Sequence, residues 1–248
     1  MRVVVIIPSR YGSTRFDGKP LAAICGKPMI QWVYQRAGQA SCIDSVHVAT
    51  DDSRIRDAVQ DFGGKVIMTS TQCRSGTDRV AEAAQRLNLS GNDVVVNVQG
   101  DQPLVDPRSV DALVRPLQED PSVTMSTLAF VIVDPREISD PKDVKVTFDN
   151  NGDALYFSRA TIPHGRDDRH GYPVYKHLGV YGYRCDFLEC FRKLTPGRLE
   201  EIEKLEQLRA MEQGYRIRVV VTPYDSPEVD LPVDIRRIEG KMAAMGLC

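Results

Sequence analysis

The chain has 248 residues, enough for one α/β domain or two small ones with a large core. It is 42% hydrophobic and 27% charged with a formal net charge of −2, which describes an ordinary globular protein and supplies no basic field for nucleic acid. Its longest apolar runs are strand-length and its N-terminus lacks the apolar stretch and cleavage site of a signal peptide, so the sequence predicts neither a membrane span nor export and points to the cytosol.

The unbroken β-branched run Val3 to Ile7, stopped by Pro8, predicts a strand buried on both faces, as in a parallel sheet. A polar loop follows with Arg10, Ser13, Thr14, Arg15 and Lys19, and with Gly12 and Gly18 among them. Cations on a glycine-containing loop just past a strand's C-terminal end suit a polyphosphate, whose oxygens can be surrounded by guanidinium forks and backbone N–H groups. The loop is not the ATPase phosphate loop, because Pro20 stands where that loop needs Ser or Thr; nor does a G-x-G-x-x-G follow the strand. A solvated basic turn is the plain alternative.

Pro28 opens a predicted helix with Met29, Ile30, Trp32, Val33 and Ala37 on its apolar side, and Ser45 to Ala49 is a strand. Asp51 or Asp52 then reads as an N-cap in preference to a metal ligand, Gly63-Gly64 closes that helix, and Lys65 to Met68 is another strand. Arg74 to Thr77 forms a polar turn, with Ser75 or Thr77 capping an amphipathic helix that buries Val80, Ala83, Ala84 and Leu87. Asp93 to Val98 is a second fully apolar strand and runs into Gln99-Gly100-Asp101-Gln102-Pro103. A carboxylate there can hold magnesium, which takes one or two carboxylates plus substrate phosphates; a turn before Pro103 is the alternative.

A helix is predicted from Asp106-Pro107 to about Glu119, then strands over 123–133, 142–148, 154–158 and 175–183. These strands break the strand–helix alternation and predict an antiparallel insertion over 142–184, suited to a floor for a second substrate and to a dimer surface. Arg198 to Gln213 reads as one helix, with Glu203 and Gln207 as an intrahelical pair; Tyr215 to Thr222 is the last strand, and a closing helix runs to about Met245. The six cysteines show no C-x-x-C pair and no zinc-like pairing with the four histidines, and read as reduced thiols.

The arrangement R-x-x-S-T-R-x-x-G-K-P-L from Arg10 resembles the opening signature of sugar-nucleotide pyrophosphorylases and cytidylyltransferases. The further stretches S-G-T-D-R from Ser75, N-V-Q-G-D-x-P from Asn97, S-R-A-T-I-P from Ser158, H-L-G-V-Y-G-Y-R from His177 and L-E-Q-L-R from Leu205 are similar to those of the 3-deoxy-manno-octulosonate (Kdo) cytidylyltransferases. The resemblance runs from Val4 to about Ile235. It departs at Phe16-Asp17, where relatives have Leu-Pro, and at V-D-L-P-V-D-I from Val229, where they have V-D-T-P-E-D-L.

The resemblance implies a single Rossmann-like three-layer α/β domain over 1–248, of the nucleotide-diphospho-sugar transferase type, with a mostly parallel sheet. It implies CTP and Kdo as substrates, Mg2+ as cofactor and a homodimer working in lipopolysaccharide biosynthesis. Arg10, Ser13, Arg15, Lys19, Arg74 and Ser75 would then contact CTP, and Asp101 and Asp230 would hold the metal. Gln99, Arg159, His177, Tyr181, Glu206 and Gln207 would line the sugar-acid pocket, His177 as a donor and not a proton relay. Lys19, Arg15, Asp101 and Asp230 would carry the catalysis. An amino-substituted Kdo, sialic acid, or a silent nucleotide-binding protein with a regulatory role are the competing readings.

Overall fold

A computed structural model describes residues 1–12, 15–166 and 171–248. Ser13, Thr14 and the stretch 167–170, inside the charged loop between two predicted strands, lie outside the described residues.

The first half of the chain alternates strands and helices as its periodicity requires. β1 (Val3–Pro8) is followed by a small hairpin of β2 (Ala23–Ile24) and β3 (Lys27–Pro28), by α1 (Met29–Ala37), β4 (Ser45–Thr50), α2 (Ser53–Asp61) and β5 (Val66–Met68). Next come α3 (Gly76–Arg86), β6 (Val94–Asn97), α4 (Pro107–Glu119) and β7 (Met125–Val131). Strands β1, β4, β5 and β6 pair in parallel. Successive residues of β1 serve opposite cores: Val3, Val5 and Ile7 meet Ile30, Val33, Ile55 and Val59, whereas Val4 and Ile6 meet Val80 and Ala84. Helices therefore cover both faces of the sheet, which is why β1 had to be apolar at every position.

The second half holds α5 (Pro135–Ser139), β8 (Lys145–Phe148), β9 (Ala154–Ser158), β10 (Tyr175–Arg184) and α6 (Cys185–Phe191), then α7 (Arg198–Glu203), α8 (Leu208–Glu212), β11 (Arg218–Thr222) and α9 (Asp234–Ala244). The sheet order is β11-β7-β10-β6-β1-β4-β5. β10 lies inside the main sheet, antiparallel to both β6 and β7, while β8 and β9 branch from its N-terminal half. Within the span of the predicted insertion, β10 joins the main sheet, and among the described residues β8 and β9 stand off its path. The division occurs where the register against β7 shifts between His177 and Tyr181, and Gly179 supplies the left-handed residue there with φ 66°.

Three sequence expectations are corrected. The helix expected over 198–213 is broken, because Lys204 adopts a left-handed φ of 55° and the chain restarts at Leu208. Glu203 does not pair with Gln207; its carboxylate accepts from Ser158 Oγ at 2.6 Å and from the Arg159 amide at 3.0 Å. That pairing turns the chain so that Glu206 and Gln207 lie between helices. The cysteines are not all free either: Cys25, in the β2–β3 turn, is bonded to Cys248, with Cα atoms 5.5 Å apart. The bond ties the chain end to a hairpin that α9 already packs against through Ile24, Ile238 and Met242. Replacing Cys248 by Ser is expected to lower the stability of the oxidised protein by about 2–5 kcal/mol. Adding a reductant should erase the difference between the two proteins; melts that differ equally with and without reductant would contradict the link.

Candidate active site

The C-terminal ends of β1 and β6 lie side by side, and the loops leaving them meet. Ser9 and Gly100 touch at this junction: a Cβ added at Gly100 would stand 2.8 Å from Ser9 Oγ and 3.2 Å from the Pro8 carbonyl, so the turn into Asp101 needs glycine. From the first loop, Lys19 Nζ reaches Asp101 Oδ2 at 2.6 Å. The same ammonium lies 3.7 Å from Asp230 Oδ1, and the Arg15 guanidinium contacts Asp230 at 3.0 Å and 3.1 Å.

Asp230 is brought in by its own backbone. Val229 N donates to the Asp101 carbonyl at 3.0 Å, while the Asp234 carboxylate accepts from the Asp230 and Leu231 amides at 3.0 Å and 2.9 Å. Val229 is buried among Ile24, Trp32 and Ile238, so its neighbours Glu228 and Asp230 turn the other way, into the site. Three distant parts of the chain thus place two carboxylates around one ammonium.

Two cavities meet here. One, of about 320 Å³, is lined by Ser9, Arg10, Arg15, Lys19, Arg74, Ser75, Arg79, Gln99 and Asp101. Its far wall is the start of α3, where Ser75 caps the helix by accepting from the Asp78 amide at 3.1 Å. The cavity therefore joins a helix N-terminus to cationic side chains, the combination that binds phosphate oxygens. Arg10 and Arg74 are exposed, the latter contacting Asp78 at 3.4 Å. The Ser9 hydroxyl is buried at the floor and has no partner among the described residues. Asp52, not Asp51, caps α2, and Asp51 instead accepts from buried Arg79 at 2.9 Å, which fixes that guanidinium behind the cavity.

The second cavity, of about 790 Å³, shares Arg15, Gln99 and Asp101 with the first and extends past Arg159, His177, Tyr181, Lys204, Glu206, Gln207, Ser226 and Glu228. The Gly179 bulge shapes its wall by freeing two carbonyls of β10. Gln99 donates to the Gly179 carbonyl at 3.2 Å and Gln102 donates to that of Leu178. Arg159 spends Nε on the Glu203 carbonyl at 2.8 Å and Nη1 on the Pro141 carbonyl at 2.9 Å. Among the described residues no carboxylate lies within ion-pair reach of Arg159, so its positive charge stays available to an anion.

His177 packs edge-on to Phe157 with ring centroids 5.0 Å apart, and 5.3 Å from Tyr181. Crowding by protein pulls its imidazole down to about 3, so it is neutral at physiological pH. Thr127 gives its hydroxyl proton to the Val180 carbonyl at 2.8 Å, so its 2.9 Å contact with His177 Nε2 must be one in which the imidazole donates. In that tautomer the lone pair is on Nδ1. Tyr181 is held well above the usual phenol range, first by burial and then by the negative charges of Glu206 and Glu228. Glu206 accepts from Thr77 Oγ1 and lies 3.6 Å from Arg209. Gln207 is 3% exposed and its Nε2 has no partner among the described residues.

The structure therefore brings Arg10, Arg15, Lys19, Arg74, Ser75, Asp101 and Asp230 around one cavity and its mouth, and Gln99, Arg159, His177, Tyr181, Glu206 and Gln207 around the adjoining one. Ser13 lies outside the described residues. Sequence reasoning missed Ser226, Glu228 and the α5 segment with Glu137. Glu228 opens into the cavity, where its carboxyl is raised by the surrounding protein and then by Asp101 and Asp230. Period-two alternation back from Asp230 could have found it, and Asp134-Pro135 repeats the Asp106-Pro107 helix signal. Lys176, buried behind this wall, is satisfied by Glu137 at 2.9 Å and Asp225 at 3.1 Å and serves the architecture.

Among the described residues, no group of three or more His, Cys, Asp or Glu side chains is arranged to hold a metal on its own. Asp101 and Asp230, both within 4 Å of one cation, do fit the other kind of magnesium site, in which two carboxylates are completed by phosphate oxygens and water.

Comparison with known proteins matches residues 4–217 to the family model described as cytidylyltransferase. The chain is 64% identical over 96% of its length, and 98% of the relative's, to the 3-deoxy-manno-octulosonate cytidylyltransferase of Desulfatibacillum aliphaticivorans. It is 56% identical over 98% of its length, and 99% of the relative's, to the 8-amino-3,8-dideoxy-manno-octulosonate cytidylyltransferase of Shewanella frigidimarina. Among solved structures, a CMP:2-keto-3-deoxy-manno-octonic acid synthetase complexed with CTP superposes with a TM-score of 0.93 at 42% identity, covering 99% of this chain and 100% of that one.

Proposed function

The chain belongs to the cytidylyltransferase family, and from that premise we propose that it transfers the cytidylyl group of CTP to 3-deoxy-manno-octulosonate, releasing pyrophosphate. The observation that carries this reading is the convergence of Lys19, Asp101 and Asp230 at the mouth shared by a cationic cavity and a larger polar one. CTP occupies the first and the sugar acid the second.

The oxygen of the acceptor's anomeric hydroxyl forms the new bond to the α-phosphorus while the bond to the pyrophosphate oxygen breaks on the opposite side, and the hydroxyl proton is released to water. No side chain needs to form a covalent intermediate; alignment and charge neutralisation suffice. Asp101 and Asp230 would hold Mg2+, which when bound supplies charge neutralisation on the phosphate oxygens. Lys19 and Arg15, now paired with those carboxylates, turn to the triphosphate and offset the charge of the leaving pyrophosphate. Arg10, Arg74 and the capped start of α3 bind the rest of the nucleotide. Arg159 takes the acceptor's carboxylate. Gln99, Tyr181, Glu206 and Gln207 offer hydrogen bonds to its hydroxyls, with His177 accepting through Nδ1.

The same reading includes a magnesium-dependent homodimer in the cytoplasm, feeding lipopolysaccharide synthesis. Among the described residues no helix is long and apolar enough to cross a membrane. The test is pyrophosphate release from CTP with Kdo, its 8-amino analogue or sialic acid as acceptor. Release with Kdo is expected; release with sialic acid and with neither octulosonate would reject the assignment.

A further inference from the structure

The ion pairs of the acceptor cavity leave one carboxylate in an unusual position. Most acidic side chains on its wall face a cation within 4 Å: Asp101 and Asp230 share Lys19, Glu137 and Asp143 share Lys176, Asp134 meets Arg136, and Glu206 meets Arg209. Asp140 accepts from the amide of Lys142 at 2.9 Å and closes its own turn. Glu228 has no cation within ion-pair reach among the described residues, and its one hydrogen bond is from Gln102 Nε2 at 3.3 Å. It nevertheless is held in place. Gln102 is fully buried and its amide is anchored on the Leu178 carbonyl, so the bulge at Gly179 fixes the donor that fixes Glu228. A Cβ at Gly179 would lie 3.5 Å from Glu228 Oε1, which places this carboxylate directly against the bulge.

Glu206 lines the same cavity but has the Arg209 guanidinium 3.6 Å away as its counter-ion. The acceptor's own carboxylate is drawn to Arg159 elsewhere in the same cavity, while the Glu228 carboxyl, with no counter-ion among the described residues, gains one only from a cationic ligand. It suits a donor, and an ammonium group best, because hydrogen bonds between two charged partners are roughly twice as strong as neutral ones.

We propose that Glu228 is a specificity-determining residue that selects an acceptor carrying an amino group, so that the amino-substituted octulosonate is used in preference to the parent sugar acid. This rests on the cytidylyltransferase reading above and names the acceptor within it. Relatives named for the parent acceptor are 58–64% identical to this chain and one named for the amino acceptor is 56% identical, so overall similarity separates the two substrates little, whereas a single unpaired carboxyl can.

The experiment compares 3-deoxy-manno-octulosonate with its 8-amino-8-deoxy analogue on the wild-type protein and on Glu228→Gln. It reads kcat/KM from pyrophosphate release, and acceptor binding by calorimetry in the presence of magnesium and a CTP analogue with a methylene bridge between the α and β phosphorus atoms. The wild type is expected to favour the amino acceptor by roughly tenfold or more in both readouts. Glu228→Gln should cut that ratio by roughly tenfold, mainly through KM, as expected for losing one charge-assisted contact. Equal use of the two acceptors by the wild type, or a ratio unmoved in Glu228→Gln, would overturn the proposal. Selective binding without turnover of either acceptor would uphold the role of Glu228 and overturn the transferase reading instead.

Discussion

Asp101→Asn is expected to lower kcat by about 10³-fold or more, a loss of roughly 4 kcal/mol of transition-state stabilisation. The amide keeps the shape of the carboxylate and loses its charge, and a neutral oxygen is a poor ligand for a hard divalent ion. Asp101 is partly open to solvent, with a side chain 22% exposed, and Lys19 retains Asp230 at 3.7 Å when Asp101 is neutralised. The thermal midpoint should therefore move little. Pyrophosphate release and a thermal melt on the same preparation separate the two effects. A kcat within tenfold of wild type would remove Asp101 from the chemistry, and a collapse of the melt would make its role architectural.

Lys19→Met is expected to lower kcat/KM for CTP by about 10²–10³-fold, the scale seen when one preorganised charge facing a developing negative charge is deleted. Methionine preserves the unbranched stem and removes the ammonium that both Asp101 and Asp230 contact in the free protein. Arginine should not rescue it. A planar fork cannot replace a compact charge seated between two carboxylates, and Arg15 already holds the outer face of Asp230 at 3.0 Å. If Lys19→Arg turned over as well as wild type, the requirement would be for positive charge alone. Unchanged kinetics in Lys19→Met would place the leaving group elsewhere.

The parallel half of the fold is legible because local pattern and tertiary environment agree there. Val3 to Ile7 and Val94 to Val96 are apolar at every position since both faces of the sheet are covered, and Asp52, Ser75 and Asp106 each cap the helix that the sequence starts beside them. What could not be read is long-range. Nothing local tells that β10 enters the sheet between β6 and β7, because an alternating strand looks the same at an edge and in the middle. The helical pattern over 198–213 is real, yet Glu203 gains more from Ser158 and Arg159 than from its own helix, and Lys204 absorbs the break.

The site shows the same division. The loop cations and Asp101 stood out because they follow buried strands, where ligands gather in open α/β sheets. Asp230 and the lining residues of the second cavity came from resemblance alone. Glu228 had no flag, although it shares a side of the chain with Asp230; its role depends on the Gly179 bulge and on Gln102, which lie 49 and 126 residues away by subtraction of their numbers. The neutral state and tautomer of His177 likewise depend on Thr127 and on crowding, which no spacing encodes.

The proposed chemistry requires two carboxylates far apart in sequence to share one ion over the triphosphate. A crystal structure with CTP and magnesium tests it most directly. One Mg2+ is expected at about 2.0–2.1 Å from an oxygen of Asp101 and an oxygen of Asp230, with Lys19 Nζ turned from those carboxylates to a phosphate oxygen. An ion bound away from either aspartate, or Lys19 still seated between them beside a bound nucleotide, would contradict it.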